Sequence, residues 1–125
     1  MKALLKILGL LISIQNTSGQ ERLTDFLPSD GDKSSSPTGF VEFGQKIFFQ
    51  ANTESFGREI WVTNGNINEA FLLKDIYPGN NNGIQGLFSN SYSIINNTLY
   101  FIANDGSSRG EIWKTDGTTE GTEKV

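Results

Sequence analysis

The sequence predicts an all-β protein made of antiparallel four-stranded repeat units of β-propeller type. The 125-residue chain aligns with itself when it is shifted by 52 residues, so that Trp61 falls on Trp113. Each copy contains short runs of β-branched and aromatic residues separated by Gly, Asn and Asp, a pattern typical of strands and turns. A period of about 50 residues is typical of propellers and related arrays.

The repeat centres on Glu59-Ile60-Trp61 and Glu111-Ile112-Trp113, and both Trp residues of the chain are in register. We assign residues 40–91 to the first unit and residues 92–125 to the second. The last residue, Val125, aligns with Leu73, so we expect the second unit to be truncated. Arrays of this kind need about three units for stability. The sequence therefore predicts part of a longer array.

Four strands are predicted in each complete unit. In the first unit they cover 40–43, 46–51, 59–63 and 70–76, and in the second 92–95, 98–103 and 111–115. Asn64-Gly65 and Asp116-Gly117 predict tight type I′ hairpins after the third strands. Ile47 and Phe49 lie on one face of the second strand and Phe48 on the other. A strand that is apolar on both faces is covered on both, as in stacked propeller blades.

The N-terminus predicts export to the cell surface or the medium. Lys2 and Lys6 precede an uncharged apolar run over residues 7–14, and small polar residues follow up to Gly19. This pattern is typical of a secretory signal peptide, which we assign to residues 1–19. The run is shorter than the ~20 residues of a membrane-spanning helix. A buried N-terminal helix is the alternative, and the polar residues 20–39 are predicted to form a linker or lead-in.

Composition excludes several classes of function. The chain has no Cys and no His, which removes disulfides, Cys/His zinc sites and a histidine general base. It carries 10 Lys and Arg against 14 Asp and Glu, a net charge of −4. Nucleic acids and anionic membrane surfaces are bound by clustered Lys and Arg, so neither is expected as a partner.

The Glu-Ile-Trp segments are the first candidate site. Residues at i and i+2 share a strand face, so Glu59 and Trp61 are neighbours. A carboxylate beside an indole could bind a sugar, or the Trp could pack between units while the Glu pairs with Arg58 or a backbone donor. Recurrence in both units favours packing. A Glu59–Glu111 pair for glycoside hydrolysis is less favoured, because nothing places the two carboxylates together. No catalytic residue is assigned.

The turn after the third strand is the second candidate. Asp116 and Thr118 can accept or donate hydrogen bonds within the turn and fix the hairpin. Carboxylates also bind calcium, which remains an alternative, and no other cofactor is expected. The first unit has Asn64-Gly65 in place of Asp116-Gly117, which favours the structural role.

Longer segments resemble a known family. EIWVTNG (59–65), EIWKTDGTTEGT (111–122), LLKDIYPG (72–79) and LYFIANDG (99–106) are similar to the Glu-Leu-Trp-x-x-Asp-Gly-Thr repeat of large secreted bacterial proteins. The resemblance covers residues 39–125. It implies a propeller-like array, exported to the surface, that acts in adhesion or ligand binding.

From these observations we expect a non-enzymatic protein that binds an extracellular ligand or surface polymer. Two alternatives stay open: the scaffold of a secreted hydrolase, and an inert truncated gene product. Three departures from the family pattern are Asn64-Gly65-Asn66 for Asp-Gly-Thr, Arg109-Gly110 for Gly-Arg, and the missing end of the second unit.

Overall fold

The computed structural model describes residues 35–66, 69–86 and 90–125. The predicted signal peptide and residues 20–34 of the lead-in lie outside this part of the chain. The described residues form an all-β fold of two antiparallel four-stranded sheets, with no α-helix among them. The all-β prediction is therefore confirmed.

The first sheet contains four strands in sequence order. They are β1 (Thr38–Phe43), β2 (Lys46–Thr53), β3 (Gly57–Thr63) and β4 (Phe71–Leu72). The strand predicted over residues 70–76 is thus reduced to two paired residues. Beyond it, the N–H of Leu73 still donates to the carbonyl of Ile60 at 2.9 Å, so the chain stays attached to β3.

The second sheet has the same order of strands. They are β5 (Tyr92–Ile95), β6 (Thr98–Ala103), β7 (Glu111–Thr115) and β8 (Glu123–Lys124). Although the sequence predicts a truncated second unit, its last residues pair with β7 and supply a fourth strand. The N–H of Val125 donates to the carbonyl of Ile112 at 2.9 Å, as Leu73 does to Ile60.

The predicted type I′ hairpins after β3 and β7 are wrong. A type I′ turn needs positive φ at both central residues, but among these four residues only Gly65 (φ 91°) and Gly117 (φ 94°) have it. The connections are also long, spanning 64–70 and 116–122. Two consecutive positive φ angles occur instead between β5 and β6, at Asn96 (48°) and Asn97 (58°).

The two sheets pack face to face around one core. The face of the second sheet that carries Phe101 and Trp113 contacts the face of the first sheet that carries Phe48 and Ile60. Alternation along each strand directs these side chains inward. The core is completed by Val41, Phe43, Val62, Leu73, Ile76, Ile84, Leu99 and Ala103.

The opposite face of the first sheet is also apolar and buried. We call it the Phe40 face: Phe40, Ile47, Phe49, Ala51 and Trp61. The Phe40 ring stacks on Phe49 with centroids 5.5 Å apart, and the other four residues are buried. Strand β2 is therefore covered on both faces, as its sequence predicts.

The outward face of the second sheet is exposed and carries both apolar and charged side chains, since Lys114 and Glu123 form an ion pair on it. Residues paired across β5, β6, β7 and the chain end place Ile95, Tyr100, Ile102, Ile112 and Val125 on this surface, which we call the open face. Ile102 is 45 % exposed, Ile112 53 % and Val125 71 %. Among the described residues, strand β6 is thus covered on one face only, in contrast to β2.

Candidate functional site

Glu59 is a buried carboxylate that holds a loop against β3. On β3 it lies opposite Ala51 of β2, and its side chain is fully buried. Its Oε1 atom accepts hydrogen bonds from the backbone N–H of Tyr77 at 3.0 Å and of Gly83 at 3.1 Å. The loop that follows β4 is therefore bound at two points by one side chain.

Burial changes the protonation of this group. Removal from water raises the pKa of Glu59 to about 8, and the nearby charge of Asp75 adds to the rise, while the N–H bonds from Tyr77 and Gly83 oppose it. Its Oε2 atom is buried without a hydrogen-bond partner in the described part of the chain. The acid form is therefore the favoured one near neutral pH.

The bound loop also connects the two sheets. The carbonyl of Gly83 accepts a hydrogen bond from the N–H of Asn104 at 2.8 Å. A Cβ atom on Gly106 would lie 2.8 Å from the Tyr77 ring, so this ring rests directly on the second sheet's β6–β7 connection. Glu59 thus organises a segment that both sheets share.

Glu111, 52 positions after Glu59, has different surroundings. It is half-buried, and its carboxylate pairs with the ammonium of Lys124. The same Lys124 also bonds Asp105 at 2.8 Å. These contacts raise the pKa of Lys124 and hold the pKa of Asp105 well below its usual range. The structure therefore places one Glu in the interior and the other in a surface ion-pair cluster.

The two Trp side chains are packed in the interior and do not offer an exposed ring to a ligand. Trp61 lies across from Phe49 and Trp113 from Phe101, and both indoles are buried. A sugar ring stacks on an exposed aromatic face, which neither indole offers here. Ile60, between Glu59 and Trp61, belongs to the core between the sheets, whereas Ile112 lies on the open face.

Asp116 and Thr118 form a closed hydrogen-bonded turn. Asp116 Oδ1 accepts from the N–H of Thr118 at 2.9 Å and from its hydroxyl at 2.7 Å. These bonds lower the pKa of Asp116. A Cβ on Gly121 would lie 2.1 Å from Asp116 Oδ1, so the end of the turn closes directly on the carboxylate.

The first sheet makes the same turn with different residues. Asn64 Oδ1 accepts from the N–H of Asn66 at 3.0 Å. Thr63 Oγ1 accepts from Gly65 N–H, as Thr115 Oγ1 does from Gly117 N–H, at 3.0 and 2.9 Å. Asn therefore replaces Asp without loss of the backbone bond. Thr63 and Thr115 align at the 52-residue spacing, and this match is the sequence signal for their shared role as acceptors of the glycine N–H, which the motif alone does not reveal.

Replacing Asp116 by Ala is expected to lower the melting temperature by roughly 4–8 °C, the shift produced by loss of about one hydrogen bond in a domain of this size. Asp116→Asn is the matched control and should stay close to the parent, because Asn64 accepts the same bond in the first sheet. Thermal melting followed by circular dichroism measures both. Equal losses in the two variants would contradict a turn-fixing role.

A surface depression lies beside the turn after β3. It is lined by Lys46, Asn64, Glu69, Ala70 and Phe71. The Lys46 ammonium lies 5.8 Å from the centroid of the Phe71 ring and bonds the carbonyl of Gly117 at 3.1 Å. Side-chain amides of Asn64 and Asn66 donate to the Glu69 carboxylate and lower its pKa. A cation, a carboxylate, an amide and an aromatic ring thus share one concave surface.

No family model matches the chain, and neither the curated proteins nor the solved structures contain a match to it. Across the three described ranges, no group of three or more Asp and Glu side chains is placed to hold a metal ion. No helix in these ranges is long and apolar enough to cross a membrane.

Proposed function

We propose that the chain is an exported, non-enzymatic binding protein and that its two sheets are units of a propeller-type array of the Glu-Leu-Trp-x-x-Asp-Gly-Thr repeat class. One observation carries the proposal: the polar groups of the motif hold the backbone. Glu59 accepts hydrogen bonds from two loop N–H groups. Asn64 and Asp116 each accept a hydrogen bond from the N–H of the residue two positions later in its own turn. Such a motif builds a scaffold, and function then belongs to the surface that the scaffold displays.

The packing of the two sheets supports the array. The second sheet covers the first with the face that carries Phe101 and Trp113. The residues 52 positions earlier, Phe49 and Trp61, lie on the far side of the first sheet. The units therefore stack in one direction, front to back, which is the relation between successive propeller blades.

The surface depression beside the turn after β3 is the surface we assign to ligand binding. Amide and carboxylate groups exchange hydrogen bonds with hydroxyl groups, and an aromatic ring stacks on the apolar face of a sugar. Asn64, Glu69 and Phe71 supply these chemistries together, and Phe71 is exposed. A carbohydrate polymer of a cell surface suits this set.

Co-sedimentation with insoluble cellulose, chitin and bacterial peptidoglycan tests the proposal. We expect retention on at least one polymer, and Phe71→Ala should weaken it up to roughly tenfold, the effect of about 1.4 kcal/mol. Tyr92→Ala is the matched control, since Tyr92 is an exposed aromatic residue outside the depression.

Two results would contradict this proposed function. One is failure of the parent chain to bind any of the three polymers. The other is release of soluble sugar from one of these polymers by the parent chain, with that release abolished in Glu59→Gln or Glu111→Gln. This result would make the chain a hydrolase.

A further inference from the structure

Two side chains that line the surface depression beside the turn after β3 are not repeated in the second unit. The residues 52 positions after Glu69 and Phe71 are Gly121 and Glu123. A Cβ at position 121 would lie 2.1 Å from Asp116 Oδ1, so the second turn has no room for a side chain where the first carries Glu69. The repeat is therefore built without Glu69 and Phe71, as expected of residues that serve a ligand.

Glu69 presents an ionised carboxylate to this depression. The side-chain amides of Asn64 and Asn66 both donate hydrogen bonds to its Oε2 atom. These bonds hold the exposed side chain in place and lower its pKa, so the group is ionised near neutral pH. Because both amides bond the same oxygen, the Oε1 atom is left to accept a hydrogen bond from a ligand.

The positive charge of the depression already has a structural contact. The Lys46 ammonium donates to the carbonyl of Gly117 in the second sheet's turn at 3.1 Å, and it lies 5.8 Å from the centroid of the Phe71 ring. Lys46 is half-buried, whereas Glu69 and Phe71 are exposed. The charge most accessible to a ligand is therefore that of Glu69, and the chain's net charge of −4 also favours the approach of a cation.

We propose that the depression binds a cationic amino sugar, a glucosamine unit with a free amine such as occurs in chitosan. This inference rests on the carbohydrate-binding function proposed above. The ammonium of the sugar donates a charge-assisted hydrogen bond to Glu69 Oε1, while the apolar face of the sugar ring packs on Phe71. An N-acetylated unit has no charge to pair with Glu69, so it binds more weakly.

Isothermal titration calorimetry with two soluble hexasaccharides tests this preference. One is the N-acetylglucosamine hexamer and the other is the glucosamine hexamer, both at about pH 5.5, where an amine is protonated and Glu69 is ionised. We expect the glucosamine hexamer to bind roughly two- to fivefold more tightly, the effect of one exposed ion pair. The difference should shrink at about 1 M salt, because the Debye length is then only about 3 Å.

Glu69→Gln tests the assigned carboxylate. Gln keeps an oxygen acceptor for the amides of Asn64 and Asn66 but removes the charge, so this variant should bind both hexamers with the parent's affinity for the N-acetylated one. Glu54→Gln is the matched control, because Glu54 is an exposed acid in the β2–β3 connection, at the opposite end of β2 from Lys46. It makes the same change in net charge and should keep the parent's preference.

The outcomes separate this preference from the function on which it rests. Equal affinity of the parent for both hexamers would overturn the amino sugar while carbohydrate binding stands. Retention on cellulose or peptidoglycan, without binding of either hexamer, would do the same. Failure to bind any polymer or hexamer would overturn both proposals. An equal loss in Glu54→Gln, or equally tight binding of a lysine hexapeptide, would show a response to positive charge alone and would also overturn amino-sugar recognition.

Discussion

Replacing Ile60 by Ala is expected to lower the free energy of unfolding by about 2–5 kcal/mol, the cost of removing a large aliphatic side chain from a core. Ile60 is fully buried between the two sheets, in contact with a core to which both contribute. The loss should appear in urea denaturation as a lower midpoint with an unchanged slope.

The chain contains its own control for this experiment. Ile112 stands 52 residues after Ile60, in the same strand position of the second sheet, and is 53 % exposed. Ile112→Ala should change the free energy of unfolding by no more than about 0.5 kcal/mol. Equal effects of the two substitutions would contradict the packing of the second sheet over the first.

Stability is expected to fall as the pH rises from about 5 to 9, because of Glu59. Its pKa is raised from 4.5 to about 8 in the folded state. Between these values the folded chain keeps a proton that the unfolded chain has lost, so the unfolded state binds fewer protons and stability decreases with pH. At 1.36 kcal/mol per pKa unit, the total loss is on the order of 4 kcal/mol.

Urea denaturation at several pH values, with the parent and Glu59→Gln, measures this effect. Gln keeps an acceptor for the N–H groups of Tyr77 and Gly83 and cannot ionise, so its stability should vary much less across the window. The pKa values of Asp105 and Asp116 lie below their usual range, so both stay ionised throughout.

Glu111→Gln provides the comparison for Glu59→Gln. Glu111 makes a surface pair with Lys124, and solvent-exposed pairs of this kind contribute little to stability. The variant should therefore retain the parent's pH dependence. A parent chain with flat stability from pH 5 to 9 would count against a buried acid at position 59.

The strands of the fold follow closely from the sequence. Runs rich in β-branched and aromatic residues over 46–51 and 98–103 predict β2 and β6, which the structure places at Lys46–Thr53 and Thr98–Ala103. The apolar pattern on both sides of β2 also predicts its burial on both faces. These features depend on the residue types within one strand, which a single sequence displays.

The connections are predicted less well. Asn-Gly and Asp-Gly favour tight turns, but at 64–65 and 116–117 side chains of Thr63 and Thr115 accept the glycine N–H groups and open a longer loop. Asn96-Asn97 forms the turn with two positive φ angles instead. Competition between side-chain and backbone hydrogen bonds decides these cases, and the pattern of residue types does not determine the result.

The candidate site is likewise predicted only in part. The sequence identifies Glu59 and Glu111 as equivalent, yet one is a buried acid and the other a surface ion-pair partner. Their difference arises from Tyr77 and Gly83, which are 18 and 24 residues from Glu59. Contacts across such distances depend on the folded path of the loop, so residue spacing alone did not reveal them.

The contact between Glu59 and Gly83 limits how this protein can change over evolution. A Cβ at position 83 would lie 2.2 Å from the Glu59 carboxylate, so any larger residue there must displace the acid. A shorter residue at position 59 would in turn leave the Tyr77 and Gly83 N–H groups without their acceptor. The two positions are therefore coupled in substitution: a side chain at position 83 requires a change at position 59, and only a residue with an acceptor of similar reach can replace Glu59 while Gly83 is kept.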